Sequence, residues 1–334
     1  MKKDWDYYKT VMDIYLKVND VYGKFGIKRI EELDRVMLLW EPDFGECFLM
    51  ESEDKKYQVV QAGTSFRWVG TRIMLRDVGG VDINMPKLLH DVEQEDHRGR
   101  RCRMFVFDYV EGESLGEYLT RVGSDKAYEL GLDLGRGIRR LHSAKIEQYY
   151  HARPWRDAHR NTYHQNIVKY TEDHISEAAF ELYRDNINVL DNYDRASRYV
   201  YENGVGKTIE LLALINGDVR PELMTVRDGR IYLKCAMNVR VADPYYEFRF
   251  LSLLAEIDGE LATGVVHGYF EGREIPEEFF VMLRIYSAEL LVAEGGALIN
   301  REDAKAINEF YDGFKALIPS WYRTPESKTE GDGI

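Results

Sequence analysis

The stretch that decides the fold is residues 211–248, which read LLALINGDVRPELMTVRDGRIYLKCAMNVRVADPYYEF. It begins with an apolar run, 211–215, that is typical of a buried β-strand. A polar loop, Asn216–Asp218, follows, and two further strand-like runs flank a turn at Gly229. The segment 242–248 then closes the stretch. This is the strongest constellation of candidate functional residues in the chain.

The chain before this stretch alternates short apolar runs with turn-like segments, a pattern typical of an antiparallel sheet. An amphipathic helix, 4–22, is expected ahead of the sheet, because apolar residues recur there at steps of three and four. The predicted strands are 36–40, 46–50, 57–60, 84–89 and 104–110, and a helix is predicted at 65–78.

From residue 111 onward the pattern is mainly helical. The predicted elements are helices at 125–142, 155–202, 246–260, 276–292 and 301–317 and a hairpin-like β pair at 213–235. This order predicts an α+β fold of two lobes, a small antiparallel-sheet lobe at 1–108 and a larger, mainly helical lobe at 109–323. The hinge is expected near 109–112, and the polar tail 324–334 is expected to fray.

The composition is that of a soluble globular protein, with 45% hydrophobic and 31% charged residues among 334. A formal net charge of −13 repels phosphate backbones and anionic lipids, so neither nucleic acid nor membrane is expected as a partner. The three cysteines are far apart and form no metal-binding pattern. No run resembles the apolar region of a signal peptide or a membrane span, and the sequence therefore predicts a cytoplasmic protein.

Two other patterns suggest phosphate or nucleic-acid binding and have simpler interpretations. Residues 204–208 end like a phosphate-binding P-loop, but Tyr201 stands where that motif needs its first glycine. A glycine turn is the better interpretation. The basic run 97–103 follows the acidic run 93–96, which favours a self-neutralised hairpin tip over a nucleic-acid patch. A role of the basic run in partner binding stays open.

Several motifs resemble, in their order along the chain, the aminoglycoside phosphotransferase and choline kinase-like family. They are Phe107–Gly112, Leu132–His142, the Asn216–Asp218 loop, Ala242–Phe248 and Val266–Gly272. The resemblance covers residues 35–295 and implies a bilobal, protein-kinase-like fold. It also implies the family's chemistry, in which a carboxylate orients the acceptor hydroxyl and metal ions bridge the phosphates of ATP.

The resemblance implies roles for individual residues. Asp218 matches the carboxylate that orients the acceptor hydroxyl, and Asn216 stands in the place of the loop histidine. Asp108 and Val110, in the hinge-like segment, match positions that bind the nucleotide cofactor. If residues 57–61 are the third strand, Gln61 stands in the place of the lysine that grips the phosphates.

The sheet lobe departs from the family pattern. The helix that should supply a glutamate partner for the lysine position offers Thr71 or Arg72. An alternative register puts residues 73–76 on the strand with Arg76 as the cation, but it leaves almost no room for the helix. We prefer the first register. The turn that should be rich in glycine, 42–45, contains only one.

The metal ligands of the family are also missing. Its metal-binding Asn is Leu223, and its metal-binding Asp is Ala236, or Cys235 if the register moves by one. None of these side chains offers the hard oxygen ligand that magnesium requires. The predicted site therefore has no metal ligand among these residues. ATP is retained as a candidate cofactor, whereas magnesium binding is not expected.

Two functions follow. In the first, the chain is a pseudokinase-like ligand-binding or regulatory protein, whose inter-lobe cleft holds a small molecule, a metal-free nucleotide or a protein segment. Asp218 is then a vestigial turn residue that caps local N–H groups. In the alternative, the chain is an active ATP-dependent phosphotransferase (a kinase) for a small hydroxylated substrate, with Asp218 as base and Glu222 or Asp243 as unusual metal ligands. A site without metal ligands loses its main charge-stabilising contribution, which favours the first.

Overall fold

The computed structural model describes the sheet, the hinge, the candidate loop and the helices packed around that loop. The described residues are 20–32, 44–63, 75–76, 78–95, 101–145, 198–199, 202–203, 212–234, 236 and 239–299. Several predicted elements lie outside this part of the chain. They are the strand 36–40, the helix 301–317, the tail 324–334, the segment 204–208 and most of the helices 4–22, 65–78 and 155–202.

An antiparallel sheet forms the N-terminal lobe, as the sequence predicts, and five of its strands lie within the described residues. Its strands are β1 (Arg29–Glu32), β2 (Phe44–Glu51), β3 (Lys56–Gly63), β4 (Leu88–Glu95) and β5 (Arg101–Asp108). Their order in space is β1-β2-β3-β5-β4, so β3 lies at the centre of the described strands and β1 and β4 are the outermost of them. The predicted third strand is therefore present as β3, in the middle of the sheet.

Two strands of this sheet differ from the prediction. β1 is not predicted, because three of its four residues are charged and no apolar alternation marks it as a strand. The predicted strand at 84–89 begins only at Leu88, after Pro86, which cannot donate a ladder hydrogen bond. It continues to Glu95 because its acidic residues meet basic residues of β5, with Glu93 opposite Arg103.

The two faces of the sheet have different neighbours. The helix α1 (Val21–Phe25) ends at Gly26, whose φ is 61°, and packs on the outer face. The apolar cluster on that face contains Val21, Ile27, Phe48, Met50, Val59, Met104 and Val106. Val60, Phe105 and Phe107 instead belong to the main core, which continues into the helical lobe. The inner face therefore joins the lobes.

The helical lobe contains five described helices. They are α2 (Leu115–Leu119), α3 (Ser124–His142), α4 (Leu251–Ile257), α5 (Gly259–Phe270) and α6 (Glu277–Ile299). The predicted helices 125–142 and 276–292 correspond to α3 and α6. The predicted helix 246–260 is instead divided into a 3₁₀-helix, Pro244–Phe250, then α4 and the start of α5. α4 and α5 are separate because Asp258 ends α4 and its side chain caps the first N–H groups of α5. Among the described helices, none combines the length and apolarity needed to cross a membrane.

Short strands surround the candidate loop. They are β6 (Glu113–Ser114), β7 (Ala213–Ile215), β8 (Met224–Arg227), β9 (Arg230–Leu233) and β10 (Arg240–Ala242). β8 and β9 form a hairpin that turns at Gly229, with a φ of 70°. The β pair predicted at 213–235 is confirmed for β8 and β9, which pair with each other. It is not confirmed for β7, which pairs with the later strand β10. The candidate loop directly follows β7.

Helices α3 and α5 cross at backbone contact because each carries glycines at the crossing. A Cβ at Gly131 would lie 2.2 Å from the carbonyl oxygen of Leu261, and one at Gly135 would lie 2.1 Å from that of Val265. Gly264 and Gly268 of α5 face α3 in the same way, at 2.3 Å and 2.2 Å from its carbonyl oxygens. No side chain fits at these positions without a backbone shift. The close crossing brings the C-terminal halves of both helices beneath the candidate loop.

Candidate functional site

The Asn216–Asp218 loop rests on a buried carboxylate. Glu247, from the 3₁₀-helix, is fully buried and accepts hydrogen bonds from the backbone N–H of Asn216 at 2.6 Å and of Gly217 at 3.0 Å. Gly217 has a φ of 79°, which a residue with a Cβ adopts only under strain. A charged acceptor for two N–H groups is among the stronger hydrogen-bond arrangements in proteins. Glu247 therefore sets the backbone shape of the loop.

A buried arginine holds the same loop by its carbonyl. Arg249 is 2% exposed and donates to Gly217 O at 2.6 Å and to Tyr246 O at 3.1 Å. Its guanidinium also lies 3.9 Å from the ring centroid of Tyr246. Burial lowers the pKa of Arg249, whereas the nearby carboxylates of Asp218 and Glu247 act in the opposite direction. Arg249 and Glu247 together clamp the loop backbone.

A histidine and a tyrosine complete the support from α3 and α5. His142 Nε2 lies 3.5 Å from Glu247 Oε2, and its Nδ1 lies 3.0 Å from the hydroxyl of Tyr269. Burial raises the pKa of Tyr269, so this residue stays a neutral phenol. The glycine-mediated crossing of α3 and α5 thus reaches the loop through two side chains. We call Glu247, Arg249, His142 and Tyr269 the loop floor.

The two loop residues predicted as catalytic contact each other and an unpredicted arginine. The side-chain oxygen of Asn216 accepts from the backbone N–H of Asp218 at 3.0 Å, so Asn216 acts as a turn cap. Arg220 forms a two-point pair with Asp218, with Nε 2.8 Å from Oδ1 and Nη2 2.8 Å from Oδ2. Asp218 is 1% exposed. Both carboxylate oxygens therefore face a guanidinium, which competes with any acceptor hydroxyl.

The positions of the two missing metal ligands are apolar and buried. Leu223 is 7% exposed and Ala236 is 3% exposed, and both belong to the main core. Cys235, the alternative position, lies outside the described residues. Within the described segments, no three His, Cys, Asp or Glu side chains are grouped so that they could hold a metal ion. The residues present therefore do not fit the magnesium site of the family.

The two carboxylates considered as substitute metal ligands have other environments. Glu222 is exposed on the 3₁₀-helix Pro221–Leu223. Asp243 caps the 3₁₀-helix of the loop floor, with Oδ1 accepting from the Tyr245 N–H and Oδ2 from the Tyr286 hydroxyl, each at 2.8 Å. Asp243 thus stabilises the segment that carries Glu247 and Arg249, which is the role of a structural cap.

The hinge-like segment connects β5 to the helical lobe. Asp108 accepts a hydrogen bond from the backbone N–H of Lys87, and burial raises the pKa of the Asp108 carboxyl. Val110 follows, and its backbone N–H has no hydrogen-bond partner among the described residues. The hinge lies directly on β8, because a Cβ at Gly112 would be 2.4 Å from Thr225 Oγ1. Asp108 and Val110 are thus neighbours at the junction of the lobes.

Gln61 and its alternative, Arg76, occupy different places. In the ladder of β3 with β5, Gln61 pairs with Met104, a residue of the outer apolar cluster, whereas its neighbour Val60 belongs to the main core. The phosphate-gripping role of Gln61 stays a prediction. Arg76 is helical, so the register that placed it on a strand is wrong. Thr71 and Arg72 lie outside the described residues.

An ion cluster surrounds the buried carboxylate of Asp91 on the inner face of the sheet, toward the segment that contains Arg76. Asp91 of β4 has a side chain that is 3% exposed, and it pairs with both Arg103 and Arg76. Arg103 also pairs with Glu93 at 2.8 Å. The sequence predicts that Arg103 belongs to a solvated hairpin tip. The structure buries it instead, because its guanidinium is paired on both sides.

The sequence does not predict three residues that determine this site: Arg220, Glu247 and Arg249. Arg220 stands two positions after Asp218, close enough for a side-chain pair, and that spacing was the available signal. Glu247 and Arg249 lie 29 and 31 positions after Asp218, and no local pattern marks them as its neighbours. Their proximity depends on the pairing of β7 with β10, which brings the two segments together.

The arrangement of the lobes, the central β3 and the loop after β7 define a bilobal α+β fold of the protein-kinase-like class. Solved structures of that class superpose on the chain. Spectinomycin phosphotransferase in complex with ADP and spectinomycin matches with a TM-score of 0.56 at 11% identity, over 88% of this chain and 91% of that one. The GDP complex of aminoglycoside 2'-phosphotransferase-IIIa matches with a TM-score of 0.58 at 15% identity, over 93% and 97%.

A third similar structure is amicoumacin kinase in complex with AMP-PNP and Ca²⁺, with a TM-score of 0.54 at 15% identity, over 90% of this chain and 95% of that one. No family model and no curated protein matches the sequence. At these identities the likeness carries the fold, and the resemblance to aminoglycoside phosphotransferases is confirmed at that level.

Proposed function

We propose that this chain is a phosphotransferase-like protein with a degenerate kinase site, which acts as a pseudokinase-like ligand-binding or regulatory protein. The observation that carries the proposal is the pairing of both Asp218 oxygens with Arg220 beside buried, apolar Leu223 and Ala236. Phosphoryl transfer depends on a carboxylate that orients the acceptor and on metal ions that neutralise the phosphates. This loop offers a carboxylate that is already neutralised and no oxygen ligand at either metal position.

The proposed ligand site is the cleft between residues 1–108 and residues 109–323, with the tail 324–334 outside it. A nucleotide is the ligand that the hinge favours, because the N–H of Val110 and the backbone at Asp108 stand at the junction of the lobes. The similar structures named above contain ADP, GDP and AMP-PNP, which makes a nucleotide the first ligand to test. A small molecule or a protein segment in the same cleft is the other outcome that the proposal includes.

The negative net charge of −13 supports the exclusion of nucleic acid and anionic membranes as partners, and it fits a protein of the cytoplasm. An acidic surface also favours basic partners when the ligand is a protein segment. We therefore propose a ligand in the cleft, and we expect the negatively charged protein to favour cationic groups on any partner that binds away from the loop.

Thermal-shift titration with ATP, with and without Mg²⁺, tests the proposal, together with a phosphate-transfer assay on the same samples. We expect ATP to raise the melting temperature equally with Mg²⁺ and with EDTA, and phosphate release to equal that of the Asp218→Ala variant. Magnesium-dependent stabilisation that disappears in Asp218→Ala or Glu222→Ala would instead establish the active phosphotransferase. No response to any nucleotide would leave a protein or another small molecule as the cleft ligand, and would exclude the nucleotide.

A further inference from the structure

An arginine, Arg220, follows the Asn216–Asp218 loop, and its place differs from that of the other arginines around the loop. Arg249 lies under the loop, with its Nη groups donating to two carbonyl oxygens. Arg240 lies 5.0 Å from the ring centroid of Tyr246, on the side of the loop floor. The side chain of Arg220 is 16% exposed and ends at the Asp218 carboxylate. Arg220, two residues after the loop, is therefore the arginine that is partly exposed and pairs with the carboxylate of the loop.

The backbone of Arg220 is held in place on both sides. Pro221 follows it and favours an extended backbone, and Arg220 has a ψ of 145°. The carbonyl of Arg220 accepts from the N–H of Leu223 at 3.0 Å, and the carbonyl of Leu223 accepts from the N–H of Lys234 at 2.7 Å. The buried side chain of Leu223 anchors the same turn in the main core. The guanidinium thus extends from a fixed point, which reduces the entropy lost when it binds a ligand.

An arginine paired with a carboxylate is chemically equipped to pair with a phosphate. The guanidinium fork matches both groups through two parallel N–H···O bonds, and both bonds are charge-assisted. A phosphate that approaches Arg220 can therefore replace Asp218 or share the guanidinium with it. If it replaces Asp218, that carboxylate keeps a positive neighbour, because the charge of Arg249 acts on the same region.

We propose that Arg220 takes the part that magnesium plays in catalytic members of this fold, so that the loop binds the diphosphate of a nucleotide without a metal ion. The inference rests on the proposed nucleotide site in the cleft and adds to it the group that neutralises the phosphates. It accounts together for two features of the loop, the loss of oxygen ligands at Leu223 and Ala236 and the presence of a guanidinium on Asp218.

The test compares adenosine with ADP by isothermal titration calorimetry, in EDTA and in Mg²⁺. Adenosine reports the base and ribose part of the site, and the ratio of the two affinities reports the phosphates. The variants are Arg220→Ala, Arg220→Lys and, as a matched control, Arg230→Ala. Arg230 is an exposed arginine of the neighbouring hairpin that pairs with Asp133, so its loss changes the net charge equally.

In the wild type with EDTA we expect ADP to bind at least about tenfold more tightly than adenosine, as two charge-assisted hydrogen bonds allow, and Mg²⁺ to leave this ratio unchanged. Arg220→Ala should bring the ratio close to one while adenosine binds as before. Arg220→Lys, a point charge without the fork, should be intermediate, and Arg230→Ala should match the wild type.

Two results would overturn the inference while leaving the proposed nucleotide site in place. One is an advantage of ADP over adenosine that persists in Arg220→Ala, and the other is an advantage that appears only with Mg²⁺. Binding of neither adenosine nor ADP would overturn the nucleotide site and the inference together. Circular dichroism of each variant verifies that the protein is folded, and Arg220→Lys keeps the test valid if Arg220→Ala does not fold.

Discussion

The loop floor and the metal-ligand positions belong to the same candidate site and have opposite chemistry. The floor is polar and paired, with Glu247 and Arg249 holding the backbone N–H groups and carbonyl of the loop. The metal-ligand positions, Leu223 and Ala236, are apolar members of the core. This difference indicates which part of a kinase-like site is required for folding and which part is required only for catalysis. Buried backbone groups must be satisfied whether or not the protein is an enzyme, whereas metal ligands serve only the chemistry.

Removing the floor carboxylate should have the largest effect. Glu247→Ala leaves two buried N–H groups without their acceptor and removes one of the two carboxylates whose charges act on the buried Arg249. We therefore expect a loss of about 3–5 kcal/mol in the free energy of unfolding. Urea denaturation followed by circular dichroism measures it. Glu129→Ala, which removes an exposed carboxylate paired with Lys126, should be indistinguishable from the wild type. Equal midpoints for the two variants would contradict the assigned role of the floor.

Restoring a family metal ligand should also destabilise the protein. Leu223→Asn replaces a buried apolar side chain with an amide inside the main core, for which we expect a loss of about 2–4 kcal/mol. The variant should still show no Mg²⁺-dependent thermal shift with ATP, because the second ligand position remains Ala236. A stable variant that gains such a shift would show that position 223 lies in an open metal site and would remove the contrast with the floor.

Separating α3 from α5 should disturb the floor from a distance. Gly135→Ala places a Cβ against the carbonyl oxygen of Val265, and the expected loss is about 1–3 kcal/mol because two backbones must move apart. The matched control is Gly116→Ala in α2, where a Cβ has no neighbour within 4 Å and the helix should be unchanged or slightly more stable. Thermal unfolding of the two variants side by side measures the difference. If both unfold at the wild-type temperature, the crossing does not depend on its glycines.

We expect the smallest effect from replacing Asp108, a carboxylate that lies outside both the loop floor and the metal-ligand positions. Burial raises the pKa of Asp108, so the folded state binds its proton more tightly than the unfolded state does. The contribution of this group to stability is therefore largest at low pH and is lost as the pH rises through its folded pKa. Asp108→Asn should flatten the stability–pH curve in that acid range by less than about 1 kcal/mol, since the group is only half-buried. Urea denaturation from pH 3 to pH 7 gives the curve, and an unchanged slope would exclude the assignment.

The regularity of local patterns explains how much of the fold the sequence predicts. The alternating runs at 46–50 and 57–60 became β2 and β3, and the helical spacing at 125–142 became α3, because one face of each element is buried. The sequence does not predict β1, since three of its four residues are charged and no apolar alternation marks it. The sequence also does not predict that β7 pairs with β10. The paired residues are 25 or more positions apart, and no local sequence pattern indicates such a pairing.

The candidate site divides in the same way. The order of motifs around Asn216–Asp218, and the absence of oxygen ligands at Leu223 and Ala236, can be read from residue identities because ligand chemistry depends on the side chain alone. The engagement of Asp218 by Arg220 could not be read, since a spacing of two residues in a loop permits contact without requiring it. The face of β3 on which Gln61 stands depends likewise on the pairing register.

The sequence by itself determined the class of fold, the position of the loop and the loss of the metal-ligand side chains. Which charged side chains contact the loop depends on the tertiary structure. Glu247 and Arg249 come to the loop through the pairing of β7 with β10, and His142 and Tyr269 come to it through the glycine crossing of α3 and α5. Electrostatic interactions depend on separations of a few ångströms between groups that are distant in sequence, and those separations are properties of the packed chain.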